Sequence, residues 1–297
     1  MTRRDFVGAT AGAAMAHPPN SSFRKSICSI IFPAGMPPRE RFQQTRNAGF
    51  EGIEIRLGEE VKLSSSADDV KRIGEEARKT GVAISALWVS EGLSDNPLND
   101  PAAEVRAKGA EAIGKAIEFA TYLNTPALLL VPGRLGNGAK FRIGYQDTWD
   151  RVTVELKRLL PQASRAKVIL GPENVWNKFL VSPLEMRSFV DQFRSPWLQA
   201  FFDVGNVMQF GYPQDWILTL GRRTKNVHLK DYKLSARAEQ GRFVDLLQGD
   251  VDWKEVMAAL VRVGYQGFIG PEYGYDANNP DRLKQLSSLT DQILTMA

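Results

Sequence analysis

A chain of 297 residues with 43% apolar and 24% charged residues has the composition of a globular protein, and its length suits a (β/α)8 barrel better than one average domain. Its formal net charge of +4 comes from cations scattered along the chain, so charge gives no support to nucleic-acid binding. The single cysteine, Cys28, excludes an intramolecular disulfide and a thiolate metal cluster, and no apolar run approaches the roughly 18 residues of a membrane span.

The first predicted element is a leader. Residues 1–16 pair Arg3 with Arg4, place Phe6 behind them and end on Ala14-Met15-Ala16. Paired arginines, a short apolar stretch and an A-x-A site are the pattern of a twin-arginine export signal. They predict an exported, periplasmic protein; a frayed terminus on a cytoplasmic protein is the alternative. Residues 17–25 read as an extension and residues 26–297 as one catalytic domain, because no later stretch has the composition of a domain linker.

Strands and helices then alternate. Short β-branched or aromatic runs at 26–32, 52–57, 83–89, 127–132, 168–173, 198–204, 226–231 and 267–272 predict strands, with helical periodicity between them. Several helices carry boundary signals. The first stops at Gly49 and the second at Gly81, as helices that end in a left-handed cap do. Ser182, Pro183 and Glu185 supply a capping residue, a proline at the first helical position and a capping-box acid. An aspartate of "DVDW" (250–253) caps a helix that stops at Gly264. Strands that are apolar almost throughout, separated by helices, imply a parallel sheet covered on its outer face. Eight such units in about 270 residues predict a single α/β (β/α)8 TIM barrel. An open doubly wound sheet is the alternative, but "FPAGMPP" after the first strand is no dinucleotide-binding fingerprint.

Function in this barrel class gathers at the carboxyl ends of the strands. The last four predicted strands end on Glu173, Asp203, His228 and Glu272. With His17 in the N-terminal tail, His228 is the one imidazole of the folded domain. Each of the four alone reads as a helix-capping acid or a satisfied core histidine. Together they crowd three negative charges into one pocket, which is costly unless a cation compensates them. Three oxygen donors and one imidazole predict one divalent metal ion, Mn²⁺ best, with Zn²⁺ or Co²⁺ as alternatives.

The segments "PENVWNKFLVSPLEM" (172–186), "FFDVGNVMQFGYPQDW" (201–216), "VHLKDY" (227–232), "GDVDWKEVMAAL" (249–260) and "GYQGFIGPEY" (264–273) resemble the sugar phosphate isomerase/epimerase superfamily, the xylose-isomerase-like TIM barrels. Within it the chain looks most like the branch of L-ribulose-5-phosphate 3-epimerases and hexulose-6-phosphate isomerases. The resemblance implies that Glu173, Asp203, His228 and Glu272 coordinate one ion, and that Glu173 and Glu272 double as the acid/base pair. The chemistry agrees: enolisation beside a carbonyl needs an electrophile on the oxygens and a base at the carbon. Two carboxylates on opposite faces of the resulting enediolate would remove and return a proton, inverting the centre. There are departures from the ketohexose epimerases of the superfamily. Asn206 stands where they carry a second histidine, and Leu234 where they carry an arginine.

The same barrel end supplies candidates for substrate recognition: Lys230, which shares the facing of His228, Asn206, Trp176 as a stacking surface, Glu54, Arg56, Trp88, Glu91 and Arg134. An ion pair with Asp231 or with a pocket carboxylate is the alternative role for Lys230, an amide satisfying a turn is the alternative for Asn206, and packing of the barrel rim is the alternative for the others. For phosphate, the loop after the seventh strand offers Lys233, Arg237 and Arg242, while "YGYDANNPDR" after the eighth has no early cation. The substrate stays open between keto-sugars, oxidised glycosides and sugar phosphates.

The reading is thus a metal-dependent sugar isomerase or epimerase acting through an enediolate on a small carbohydrate. The alternative chemistry is a lyase or hydratase on 3-keto-glycosides, where the same deprotonation expels a β-leaving group. A non-catalytic sugar-binding protein would have lost a ligand, and all four are present. A nuclease of this barrel type needs a histidine-rich multi-zinc site, which one histidine does not supply. Barrels of this kind often associate, so a homo-oligomer is carried as an expectation.

Overall fold

A computed structural model describes residues 23–136, 142–235 and 241–297; the leader, His17 and Arg237 lie outside the described residues. The first strand, β1, spans Arg24–Cys28, starting earlier and ending sooner than the run at 26–32 predicts. Its first two residues are basic and hide the strand from a reading of apolar periodicity. Arg24 lies over the ring of Phe268, 4.0 Å from its centroid. Lys25 is buried and bonds Ser287 Oγ and Asp291 Oδ1 at 2.9 and 2.6 Å. After Cys28, Ser29–Ile31 coil into a 3₁₀ turn at the barrel mouth.

The strands β2 (Gly52–Leu57), β3 (Ala83–Val89), β4 (Ala127–Leu130), β5 (Ile169–Pro172), β6 (Ala200–Asp203) and β7 (Thr224–Leu229) follow, and Phe268–Pro271, here β10, is the last of the barrel. They form one parallel sheet in the order β5-β4-β3-β2-β1-β10-β7-β6. The ring closes between β5 and β6 through two isolated bridges, Leu170 with Leu198 and Glu173 with Phe201. The predicted (β/α)8 barrel is the observed architecture.

Eight helices cover it: α1 (Pro38–Asn47), α2 (Ala67–Thr80), α3 (Ala103–Leu123), α4 (Tyr145–Ala166), α5 (Pro183–Asp191), α6 (Pro213–Leu220), α7 (Trp253–Arg262) and α8 (Arg282–Leu294). The sequence signals act at their ends. The hydroxyl of Ser182 accepts from Glu185 N at the start of α5, and Asp252 accepts from Glu255 N at the start of α7. Gly81 ends α2 with φ +74°, a backbone state that costs glycine little.

Side chains alternate along each strand. Ile53, Ile55 and Leu57 of β2 join the large apolar core shared with the helices. Within the barrel, Ala86, Ala127 and Leu129 pack with Phe201, small residues facing a large one so that a layer fills.

The end of β7 also departs from the predicted strand at 226–231. Residue 231 does not end β7 but opens a short antiparallel hairpin, β8 (Asp231–Lys233) with β9 (Arg242–Val244). Asp231 makes the corner: its buried carboxylate accepts from Tyr232 N, Gly249 N, Val251 N and Trp253 Nε1. Four donors on one carboxylate redirect the chain away from the barrel axis.

Candidate active site

Register brings the predicted donors together. Asp203 on β6 pairs with His228 on β7, His228 pairs with Gly270 on β10, and Glu173 bridges to Phe201. Glu173 lies just past β5 and Glu272 just past β10, so the two flank Asp203 and His228 from either side. One donor atom from each of the four lies within 4.8 Å of every other. His228 Nδ1 faces the carboxylates, 3.0 Å from Glu173 Oε1, 3.1 Å from Glu272 Oε2 and 4.0 Å from Asp203 Oδ2.

The cluster is buried and highly charged. Glu173, Asp203 and His228 are 6%, 0% and 5% exposed, too little for water to screen them. Lys230 Nζ stands 3.0 Å from Asp203 Oδ2 and 2.6 Å from Glu272 Oε2. Of the two alternatives for Lys230, the observed contact is the ion pair with pocket carboxylates. Burial pushes Glu173 up to about 7 against the pull of its hydrogen bond with His228, and burial raises Asp203 as well. Burial would raise Glu272 too, but the adjacent His228 and Lys230 charges hold it below the usual carboxylate range. Burial works against charge on His228 and Lys230, yet the surrounding carboxylates outweigh it and keep both well above their usual ranges.

These residues fit a divalent cation. Asp203 Oδ2 and Glu272 Oε2 are buried oxygens that accept no hydrogen bond of good geometry, although the Lys230 ammonium is beside them. Buried oxygens in that state need positive charge, and an oxygen-rich set with one imidazole suits Mn²⁺ and its neighbours.

The framework around the donors is polar. Asn174, which the sequence reading passes over, donates through Nδ2 to Asp203 O and accepts from Asp203 N, both at 2.9 Å. Its only sequence signal is its place directly after Glu173. Asn206 N donates to Asp203 Oδ1 at 2.8 Å, and Asn206 Nδ2 donates to Asn174 O at 2.9 Å. Asn206 thus braces the loop after β6 and orients the Asp203 carboxylate through these bonds, as the turn reading of this asparagine expects. Trp176 Nε1 donates to Asn206 O at 2.8 Å, which fixes the indole beside the cluster, and the residue is 47% exposed. Its ring packs on Phe243 from the hairpin at 4.9 Å.

The other recognition candidates fall at three depths. Glu54 is 3% exposed and lies under the imidazole, Oε2 being 3.2 Å from His228 Nε2. It is not a rim residue, because its place on β2 is one layer below the mouth. Arg56, two residues on along the same face, holds its guanidinium 5.8 Å from the Trp88 ring, and Trp88 packs on the Ala86, Leu129 and Phe201 layer. Arg134 is exposed on the loop after β4, its Nη2 3.5 Å from Ser94 O. Glu91 accepts from Leu63 N at 2.8 Å.

A buried ring of three carboxylates and one imidazole at the carboxyl end of a (β/α)8 barrel defines the class. The chain belongs to the Xylose isomerase-like TIM barrel family, whose model matches residues 42–292. It is similar to the L-ribulose-5-phosphate 3-epimerase UlaE of Salmonella paratyphi C (strain RKS4594), 26% identical over 260 residues, or 86% of this chain and 88% of that one. Among solved structures, a D-psicose 3-epimerase superposes with a TM-score of 0.76 at 14% identity, over 92% of this chain and 99% of that one. An L-ribulose 3-epimerase superposes with a TM-score of 0.75 at 18% identity, over 92% and 95%. Among the described residues no helix is long and apolar enough to cross a membrane.

Proposed function

We propose that this protein is a divalent-metal-dependent sugar epimerase or isomerase that works by proton transfer beside a carbonyl. The observation that carries the proposal is the convergence of four donor atoms within 4.8 Å, flanked by carboxylates from two strands that are not neighbours. An ion held by Glu173, Asp203, His228 and Glu272 supplies Lewis-acid polarisation of a carbonyl and its adjacent hydroxyl, with Mn²⁺ the best match and Zn²⁺ or Co²⁺ the alternatives.

The rest is the work of side chains. Of Glu173 and Glu272, one takes the proton from the carbon next to the carbonyl, leaving a planar carbon, and the other delivers a proton to the opposite face. Return to the neighbouring carbon gives isomerisation instead. Lys230 donates to a substrate oxygen while keeping Asp203 and Glu272 apart. The exposed face of Trp176 stacks on the sugar, and its hydrogen bond to Asn206 O holds it there. Buried walls exclude water from the carbanion.

The relative in Salmonella is named for a sugar phosphate, but a keto-sugar without phosphate suits this chain better. Of the described cations in the two loops where such barrels bind phosphate, Lys233 is paired with Asp250 and Arg282 with Asp245, which leaves the exposed Arg242 as a single cation where a phosphate would need several. The paired arginines of the leader favour a role after export, which cell fractionation with the leader intact and with Arg3 and Arg4 replaced by lysine checks.

The test of the activity is exchange of substrate C–H for deuterium. Protein loaded with Mn²⁺ is incubated in D₂O with ketoses, ketose phosphates and 3-keto-glycosides, and followed by NMR. Exchange that depends on Mn²⁺ and is lost in Glu272→Gln supports the proposal, and the product separates epimer from eliminated fragment. Tight Mn²⁺ binding with no exchange on any of them refutes it.

A further inference from the structure

Among the described residues, Glu54 is the carboxylate that meets the far side of the imidazole. Glu173, Glu272 and Asp203 all approach Nδ1 of His228, whereas Glu54 Oε2 lies 3.2 Å from Nε2. It reaches there from β2 across the barrel interior, where one contact holds the carboxylate and another holds the imidazole it faces. Cys28, its register partner on β1, is buried and donates from Sγ to Glu54 Oε1 at 3.4 Å. Phe201 packs edge-on against the His228 ring, with centroids 4.7 Å apart, and limits its rotation.

The placement is unfavourable as a purely structural device. A fourth carboxylate under three others adds repulsion and desolvation, which an apolar or amide side chain of similar size would avoid. Its geometry makes sense through the histidine. A neutral imidazole has one N–H and one lone pair, and ligation needs the lone pair on the nitrogen that faces the ion. A proton on Nδ1 would be held by Glu173 and would remove the donor. A proton on Nε2 is held by Glu54 and leaves Nδ1 open toward the three carboxylates.

We propose that Glu54 is a positioning residue that accepts the Nε2 proton of His228, so fixing the tautomer and ring orientation that make Nδ1 a metal donor, with Cys28 holding Glu54 in place. This rests on the metal-centre reading above. It assigns no contact with substrate to Glu54.

The test uses the full chain and three substitutions. Zn²⁺ serves as the probe because it is diamagnetic, its dissociation constant is taken by calorimetry, and the ring-nitrogen ¹⁵N shifts of His228 report where the proton sits. Wild type is expected to bind Zn²⁺ with Nε2 protonated. Glu54→Leu removes the acceptor and is expected to weaken Zn²⁺ roughly 10–100-fold, the range for loss of an outer-shell partner, with the Nε2 shift of the Zn²⁺-bound form moved toward that of an N–H without an acceptor. Glu54→Gln keeps an acceptor oxygen and is expected to retain the Nε2–H tautomer and bind within a few-fold of wild type. Glu54→Asp keeps the charge but falls a methylene short, so it separates hydrogen bonding from mere charge and remains informative if Glu54→Leu does not fold. Wild-type affinity and an unchanged Nε2 shift in both Glu54→Leu and Glu54→Asp overturn the inference. If wild type itself binds no Zn²⁺ or Mn²⁺, the metal-centre reading falls first and this one with it.

Discussion

Replacing Lys230 by methionine removes one charge from the centre of the site while keeping most of the side-chain volume. The ammonium lies 3.0 Å from Asp203 Oδ2 and 2.6 Å from Glu272 Oε2. At an effective dielectric of about 20 these contacts are worth about 5 and about 6 kcal/mol before desolvation is counted. Burying the ions cancels much of that, and deleting one partner of such a buried group typically costs about 3–5 kcal/mol, because the remaining charges are left unpaired. In the presence of a chelator, Lys230→Met is therefore expected to unfold more easily than wild type by about 3 kcal/mol. A divalent ion is expected to narrow that gap, and to reverse it only if the variant binds the ion more than about 100-fold tighter. Lys230 contacts the very oxygens that the ion needs, so removing it takes away a competitor. At 100-fold excess over its dissociation constant an ion stabilises wild type by about 2.7 kcal/mol, and each tenfold gain in affinity in the variant adds about 1.4 kcal/mol. The assay is denaturant unfolding of both proteins with EDTA and with Mn²⁺. Equal stability in EDTA together with an equal increment from Mn²⁺ would refute the electrostatic account of Lys230.

The remaining expectations concern the proton shuttle, the stacking surface, a loop contact and a peripheral ion pair. Glu173→Gln is expected to lower deuterium exchange about 10²–10⁴-fold, as loss of a general acid or base does, with the circular dichroism spectrum of wild type; exchange within tenfold of wild type rules out its role. Trp176→Ala removes about 0.5–1.5 kcal/mol of stacking and is expected to raise KM roughly 2–10-fold with a smaller effect on kcat, read from initial rates. Gly205→Ala places a Cβ 2.6 Å from Lys230 Cβ and 2.8 Å from Lys230 O, and the overpacking is expected to cost about 1–3 kcal/mol, measured by urea unfolding. The hydrogen bond from Arg282 holds Asp245 below its usual range, despite some burial. A depressed carboxylate contributes stability above its unfolded pKa and loses it as pH falls through the folded one. Asp245→Asn is therefore expected to be less stable than wild type by about 0.2–1 kcal/mol at pH 7, with the gap closing in the acid limb of a pH titration of stability.

The barrel is legible in the sequence because its signals are local. The runs at 52–57 and 83–89 coincide with β2 and β3, and Gly81, Ser182 and Asp252 act where helix ends need them. The four donors are legible for a related reason: each closes an apolar run, and barrel topology carries strand ends to one face. What escapes the sequence is set by distant partners. Lys25 belongs to a buried strand only because Asp291 and Ser287 on α8 receive it. The facing of Glu54 follows from alternation along β2, but its depth does not, and depth decides whether it meets substrate or the underside of His228. Asn206 reads equally as a sugar contact and as an amide satisfying a turn, and its bond to Asn174 O emerges only once the loop after β6 is folded. The β8–β9 hairpin leaves no periodic trace, since each strand has three residues, yet it delivers Phe243 to the face of Trp176.

The site lies where the barrel's own hydrogen bonding is thinnest. Between β5 and β6 the ladder is reduced to two bridges, and Glu173 and Asp203 stand on either side of that seam. Asn174 takes the place of the missing ladder: its amide exchanges a donor and an acceptor with the backbone of Asp203, the pattern that two strands would otherwise form. A regular ladder would fix the backbone beyond Glu173 in extended form and leave no turn for Trp176 to come back over Asn206. With side-chain amides carrying the closure, the chain can leave the sheet at Glu173 and at Asp203 without orphaning their peptide groups. That is how both carboxylates rise out of neighbouring strands, converge on His228, and are held in the cluster that the proposed ion would need.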